Sequence, residues 1–101
     1  MNQEYIRLFL LKLGFRVYQK GFWYWEYALR IYKQEYRIMN LYVDVGKEFK
    51  TTVSKVERAM RYSLEYVEKN IQEYYNYDGK INNKTFLNLY LLNKGEIEHA
   101  N

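Results

Sequence analysis

The sequence contains no cysteine and no proline. Without thiols, a disulfide framework and thiolate metal sites are excluded. Without proline the strongest helix-breaking signal is missing, and five glycines must do most of the punctuation. No apolar run approaches the roughly 20 residues needed to span a bilayer. The N-terminus MNQEYIRL lacks the basic-then-apolar layout of a signal peptide, so a cytoplasmic protein without membrane contact is expected. The single histidine, His99, lies in the tail EIEHAN and reads as a solvated residue. Catalysis lacks material: there is no glycine-rich phosphate loop, no H-E-x-x-H pair and no nucleophile with a plausible base. Glu65 and Glu68 share a helix face but read as solvated surface. Neither enzymatic activity nor a cofactor is expected.

What is present is apolar and aromatic. Of 101 residues, 49% are hydrophobic and 20% aromatic, far from the profile of a disordered chain and enough for one core in one domain over residues 1–101. The wealth of Tyr, Asn, Lys and Ile is also what AT-rich codons would supply. Net charge is +4, and its distribution says more than its size. Residues 47–61 hold Lys47, Lys50, Lys55, Arg58 and Arg61 against Glu48 and Glu57. Beyond them the chain is net acidic. Positive charge is densest where a polyanion would dock.

Helical periodicity runs through most of the chain and no segment alternates with period two. EYIRLFLLKL (4–13) is apolar almost all round and reads as a buried helix stopped by Gly14. FRVYQK is a connector closed by Gly21. The following segment, FWYWEYALRIYKQEYRIMN, spaces Trp25, Leu29, Tyr32 and Tyr36 as on one helix face and predicts a single long amphipathic helix. Its aromatic cluster FWYW could stack on bases, but at this spacing the core is the favoured destination. A shorter helix fits 42–49, and a further one carries the stripe Val56, Met60, Leu64, Val67 and Ile71. The pattern grows vague through QEYYNY. Asp78-Gly79 marks a turn, and Asn82 or Asn83 can cap a last helix that stops at Gly95. An all-α domain of about five or six helices is the consistent reading.

A helix-turn-helix fits within it, over about residues 42–68. With Tyr42 as first position, the motif's fourth position is apolar Val45 and its fifth, where the second helix crosses closely, is Gly46. The eighth, expected to be buried, is Phe49; the fifteenth and eighteenth, which anchor the second helix, are Val56 and Ala59. The turn departs from the common pattern, with Lys50 where glycine is favoured and polar Thr51 where an apolar residue is usual. Thr52 can cap the second helix, or Ser54 and Glu57 can form a capping box if it starts later. With Val56, Ala59 and Met60 turned inward, Ser54, Lys55, Glu57, Arg58, Arg61 and Tyr62 face outward. Such side chains read base edges and phosphates, although most helices have a solvated charged face. The concentration of basic groups in the N-terminal half, ahead of acidic Glu65 and Glu68, favours a DNA-reading helix.

The strings KGFWYWEYAL and YVDVGKEFKTTVSKVERAMRYSLE resemble the C-terminal DNA-binding domain of the sporulation initiation regulator, stage zero sporulation protein A. The likeness spans roughly residues 6–93. It is carried by Lys20, Gly21, Phe22 and Tyr24, by Tyr42 and Asp44, and by Thr51, Thr52, Ser54, Lys55, Val56, Glu57, Arg58, Ala59 and Arg61. The resemblance implies six helices, the fourth in the major groove of a promoter box, with Ser54, Lys55, Glu57, Arg58 and Arg61 at DNA-contact positions. It further implies transcription regulation, dimerisation on tandem sites and contact with RNA polymerase. The family's receiver domain is not represented, so a free-standing domain without phosphorylation control is expected. Tyr62 stands where histidine is usual, Lys55 where arginine is, Val43 for proline and Gly46 for alanine, which bears on the preferred DNA sequence. The segments before Tyr42 and after Val67 look shortened, which bears on dimer and polymerase contacts. The expected mechanism docks the backbone through Lys47, Lys50, Thr51, Thr52 and Lys55 and reads bases with Glu57, Arg58 and Arg61. An alternative is a protein-interaction module that keeps the fold and pairs with a full-length regulator without binding DNA.

Overall fold

In the computed structural model the backbone is described for residues 3–99 and side chains for residues 3–94; the reading of His99 as solvated concerns a side chain outside that range. The described residues form five helices and no strand: α1 (Gln3–Leu13), α2 (Lys20–Ile31), α3 (Ile38–Phe49), α4 (Val53–Tyr75) and α5 (Asn83–His99). The family resemblance implied a sixth, which the described residues do not contain.

The core is organised around Trp25 of α2. Its buried ring meets Phe86 of α5 edge-on at 4.9 Å and Phe15 of the α1–α2 connector at 6.4 Å. Its indole N–H donates to the Met60 carbonyl of α4 at 3.0 Å, so the largest core side chain carries no unsatisfied donor. The expected stripe of α4, Val56, Met60, Leu64, Val67 and Ile71, is buried throughout. Phe22, Tyr24 and Trp25 are buried and Trp23 lies at the surface, so the FWYW cluster is chiefly core.

Several elements differ from expectation. Helix α1 buries Ile6, Phe9, Leu10 and Leu13 but exposes Leu8 and Leu11, so it is amphipathic rather than buried all round. Gly14 ends it as expected, at φ +103°, a conformation that favours glycine. The long helix expected over 22–40 is broken. Helix α2 stops at Ile31 and α3 starts at Ile38, earlier than Tyr42. Tyr32 and Tyr36 keep their helical spacing in sequence yet meet across the intervening loop, rings stacked at 6.3 Å. Tyr32 donates to Asn88 at 3.0 Å, and Tyr36 donates to Asp44. These tertiary bonds hold the chain in a turn where no proline or glycine marks one.

Helix α4 runs through the vague segment to Tyr75 and is closed by Asn76 at φ +53°. Glu68 is only partly exposed. Its carboxylate accepts from the Ile81 backbone N–H at 2.7 Å and pairs with Lys80 at 3.9 Å, so it fastens the α4–α5 connection rather than lying in solvent. Asn82 caps α5, its side-chain oxygen accepting from the Thr85 N–H at 2.9 Å. The backbone of α5 continues through Gly95 to His99, past the expected stop.

Candidate nucleic-acid interface

Helices α3 and α4 are joined by Lys50, Thr51 and Thr52 alone, and each residue of this turn has a physical reason. The Gly46 carbonyl accepts from the backbone N–H of Lys50 and, at 2.9 Å, from that of Thr51. A Cβ on Gly46 would stand 2.8 Å from the Thr51 carbonyl oxygen, which is why the fifth position must be so small. Lys50 is left-handed, at φ 55° and ψ 50°. That explains the usual glycine here, since an L side chain in this conformation costs about 1 kcal/mol. The lysine adds a charge to the turn in exchange. Thr52 is the cap of α4, its hydroxyl accepting from the Lys55 N–H at 3.2 Å. The alternative box does not form, because the Glu57 carboxylate is engaged by Arg61 at 2.9 and 3.4 Å.

Two anchors behave as expected and two less so. Val45 and Val56 are fully buried, whereas Ala59 is half-buried and Phe49 is 37% exposed. Phe49 packs against Tyr24 and Tyr27 of α2, with ring centroids 5.0 and 6.0 Å away. The ring therefore packs on the rim instead of entering the core.

The outward residues of α4 divide into groups. Ser54, Lys55, Arg58, Arg61 and Tyr62 are exposed and Glu57 is half-exposed. Glu57 and Arg61 form one ion pair, and its hydrogen bond and charge raise Arg61 above the usual guanidinium value. The Arg61 guanidinium also lies 5.1 Å from the centre of the Tyr62 ring. Thr51, Lys55, Arg58 and Tyr62 line a groove of about 230 Å³ whose opposite wall is Lys20 and Tyr24 of α2. Lys47 is apart from them. It borders a wider groove of mixed charge beside Lys33, Glu35, Arg37, Asp44 and Glu48. Lys50 and Thr52 are exposed at the turn itself.

Helix periodicity did not single out Lys20 as a site residue. The signal available was its neighbour Gly21, which lies in the first turn of α2 rather than closing a connector. A Cβ there would come within 2.3 Å of the Ser63 hydroxyl oxygen and 2.5 Å of the Ala59 carbonyl. This close approach carries Lys20 to the flank of α4.

Behind the interface, burial raises the Tyr42 hydroxyl above its ordinary value, and the phenol oxygen accepts from Asn83 at 3.0 Å. Among the described residues no group of side chains could hold a metal ion, and no helix is long and apolar enough to cross a membrane.

A family model described as "Sporulation initiation factor Spo0A C terminal" matches residues 6–92. No curated protein and no solved structure matches the chain significantly. The family is the DNA-binding domain of a sporulation regulator and is not a known enzyme family. A match over all but the ends of the sequence, on an all-helical fold with a tight helix-turn-helix, means that this chain belongs to the Spo0A C-terminal family of DNA-binding domains.

Proposed function

We propose that this domain binds duplex DNA sequence-specifically and regulates transcription in sporulation control, with the first turns of α4 in the major groove. The observation that carries this reading is the state of Lys55 and Arg58. Neither side chain has a carboxylate partner among the described residues, and both sit in the N-terminal part of the helix that presents to base edges. Arg58 is the first reader in this scheme, a guanidinium suited to the two acceptors of guanine. Glu57 and Arg61 act as a pair, one accepting from cytosine and the other donating. Lys47, Lys50, Thr51, Thr52, Ser54 and Lys55 hold phosphates and fix the register, and Tyr62 contacts the duplex at the end of the reading surface. Pairing of two copies on tandem boxes and contact with RNA polymerase belong to the same reading.

The test is a shift assay at low salt with a promoter duplex. The wild-type domain should retain it, with affinity that falls steeply as salt rises. Arg58→Ala and Lys50→Ala should each weaken retention. Retention unchanged in both variants would remove α4 and its turn from the interface. No retention at any salt, with stable co-purification of a protein partner, would favour the interaction module.

A further inference from the structure

The groove between α2 and α4 has three cations on its walls and no carboxylate: Lys20, Lys55 and Arg58, with Tyr24, Thr51, Ala59 and Tyr62 completing the lining. None of the three cationic groups has a hydrogen-bonded or ion-paired partner among the described residues. Arg61, one turn further along α4, is by contrast neutralised by Glu57. The groove also collects two helix N-termini. Helix α2 begins at Lys20 with no side-chain cap from Gln19 and no acidic residue in its first turn, and α4, although capped by Thr52, likewise has no acidic residue in its first turn. Helix N-termini add positive potential to that of the side chains, so like charges crowd this groove with nothing opposing them. Their placement is set by the tight packing of Gly21 on Ala59 and Ser63.

We propose that Lys20 and Lys55 grip one backbone phosphate of the bound duplex, so that α2 and not only the helix-turn-helix fixes the register of α4 on DNA. This rests on the DNA-binding reading above. A duplex seated on the first turns of α4 brings its backbone to the groove that Lys55 and Arg58 already border, and a phosphodiester supplies the negative charge that the groove lacks. Lys20 is a positioning residue in this scheme. It touches no base and carries no sequence information.

Lys20→Gln is the test, with the best duplex recovered from a random pool. The variant should bind about eightfold more weakly at 0.1 M salt, and its slope of log affinity against log salt should be smaller by about 0.9. The base consensus should be unchanged, and Lys20→Arg should restore both quantities. In a series of duplexes each carrying one neutral methylphosphonate, one position should weaken the wild type more than it weakens Lys20→Gln, and should leave a variant with both Lys20→Gln and Lys55→Gln unaffected. Wild-type affinity and slope in Lys20→Gln, with Arg58→Ala still altering base preference, would overturn the phosphate grip and leave the DNA-binding reading standing. Failure of the wild-type domain to bind any duplex would overturn both.

Discussion

The two halves of α4 are built from similar polar residues and use them in opposite ways. From Lys69 onward the helix spends its amides on the fold: Asn70 donates to the Leu13 carbonyl at 3.0 Å and Gln72 to the Gly79 carbonyl at 2.7 Å. Glu68, just before them, ties down Ile81. From Val53 to Tyr62 the inward stripe is just as buried, but Lys55 and Arg58 have no partner among the described residues. On a helix that is structural along its whole length, function can reside where polar side chains are left without internal partners. A polar group already satisfied internally must break a bond to engage a ligand, whereas an unpaired exposed cation has only solvent to lose.

Substitutions should separate the two halves. Leu64→Ala, on the stripe common to both halves, should cost about 3 kcal/mol of stability in a denaturant titration and lower binding only through unfolding. Glu68→Ala leaves the Ile81 N–H without its charged acceptor and should cost about 2 kcal/mol. Affinity for DNA at a temperature where the variant is folded should not change. Arg58→Ala should do the reverse. Stability should stay within about 0.5 kcal/mol of wild type, while binding to the preferred site falls by about 1–3 kcal/mol and base preference relaxes at one position. Lys50→Gly is the smallest change and acts on both properties. Relief of the left-handed backbone should raise stability by about 1 kcal/mol, and loss of one charge should weaken binding to all sequences about equally. A Glu68 variant that alters base preference, or an Arg58 variant that unfolds, would erase the distinction between the halves.

What could be read in the sequence followed from period and size. The stripe Val56 to Ile71 is visible because five apolar residues recur at helical spacing, and Gly46 because a close crossing tolerates no Cβ. The break at residues 32–37 was hidden for the same reason. Tyr32 and Tyr36 have helical spacing, and only their contacts with each other, Asn88 and Asp44 turn the chain. Glu68 looked solvated because its partners, Lys80 and the Ile81 N–H, lie across a turn whose geometry local spacing does not reveal. Phe49 satisfied the motif's demand for a buried eighth residue by type, but Tyr24 and Tyr27 hold it at the rim. At the candidate interface, the outward residues were legible from phase alone. Which of them pair, as Glu57 and Arg61 do, and which remain unpaired depends on rotamers that phase does not determine.

In the proposed function, the unpaired face at the start of α4 reads base sequence. Selection from a random duplex pool, run in parallel on the wild type and on Arg58→Ala, tests it most directly. The wild type should yield a short consensus box, and the variant should lose its preference at one position of that box. An identical consensus from both proteins, or no enrichment by the wild type, would contradict it.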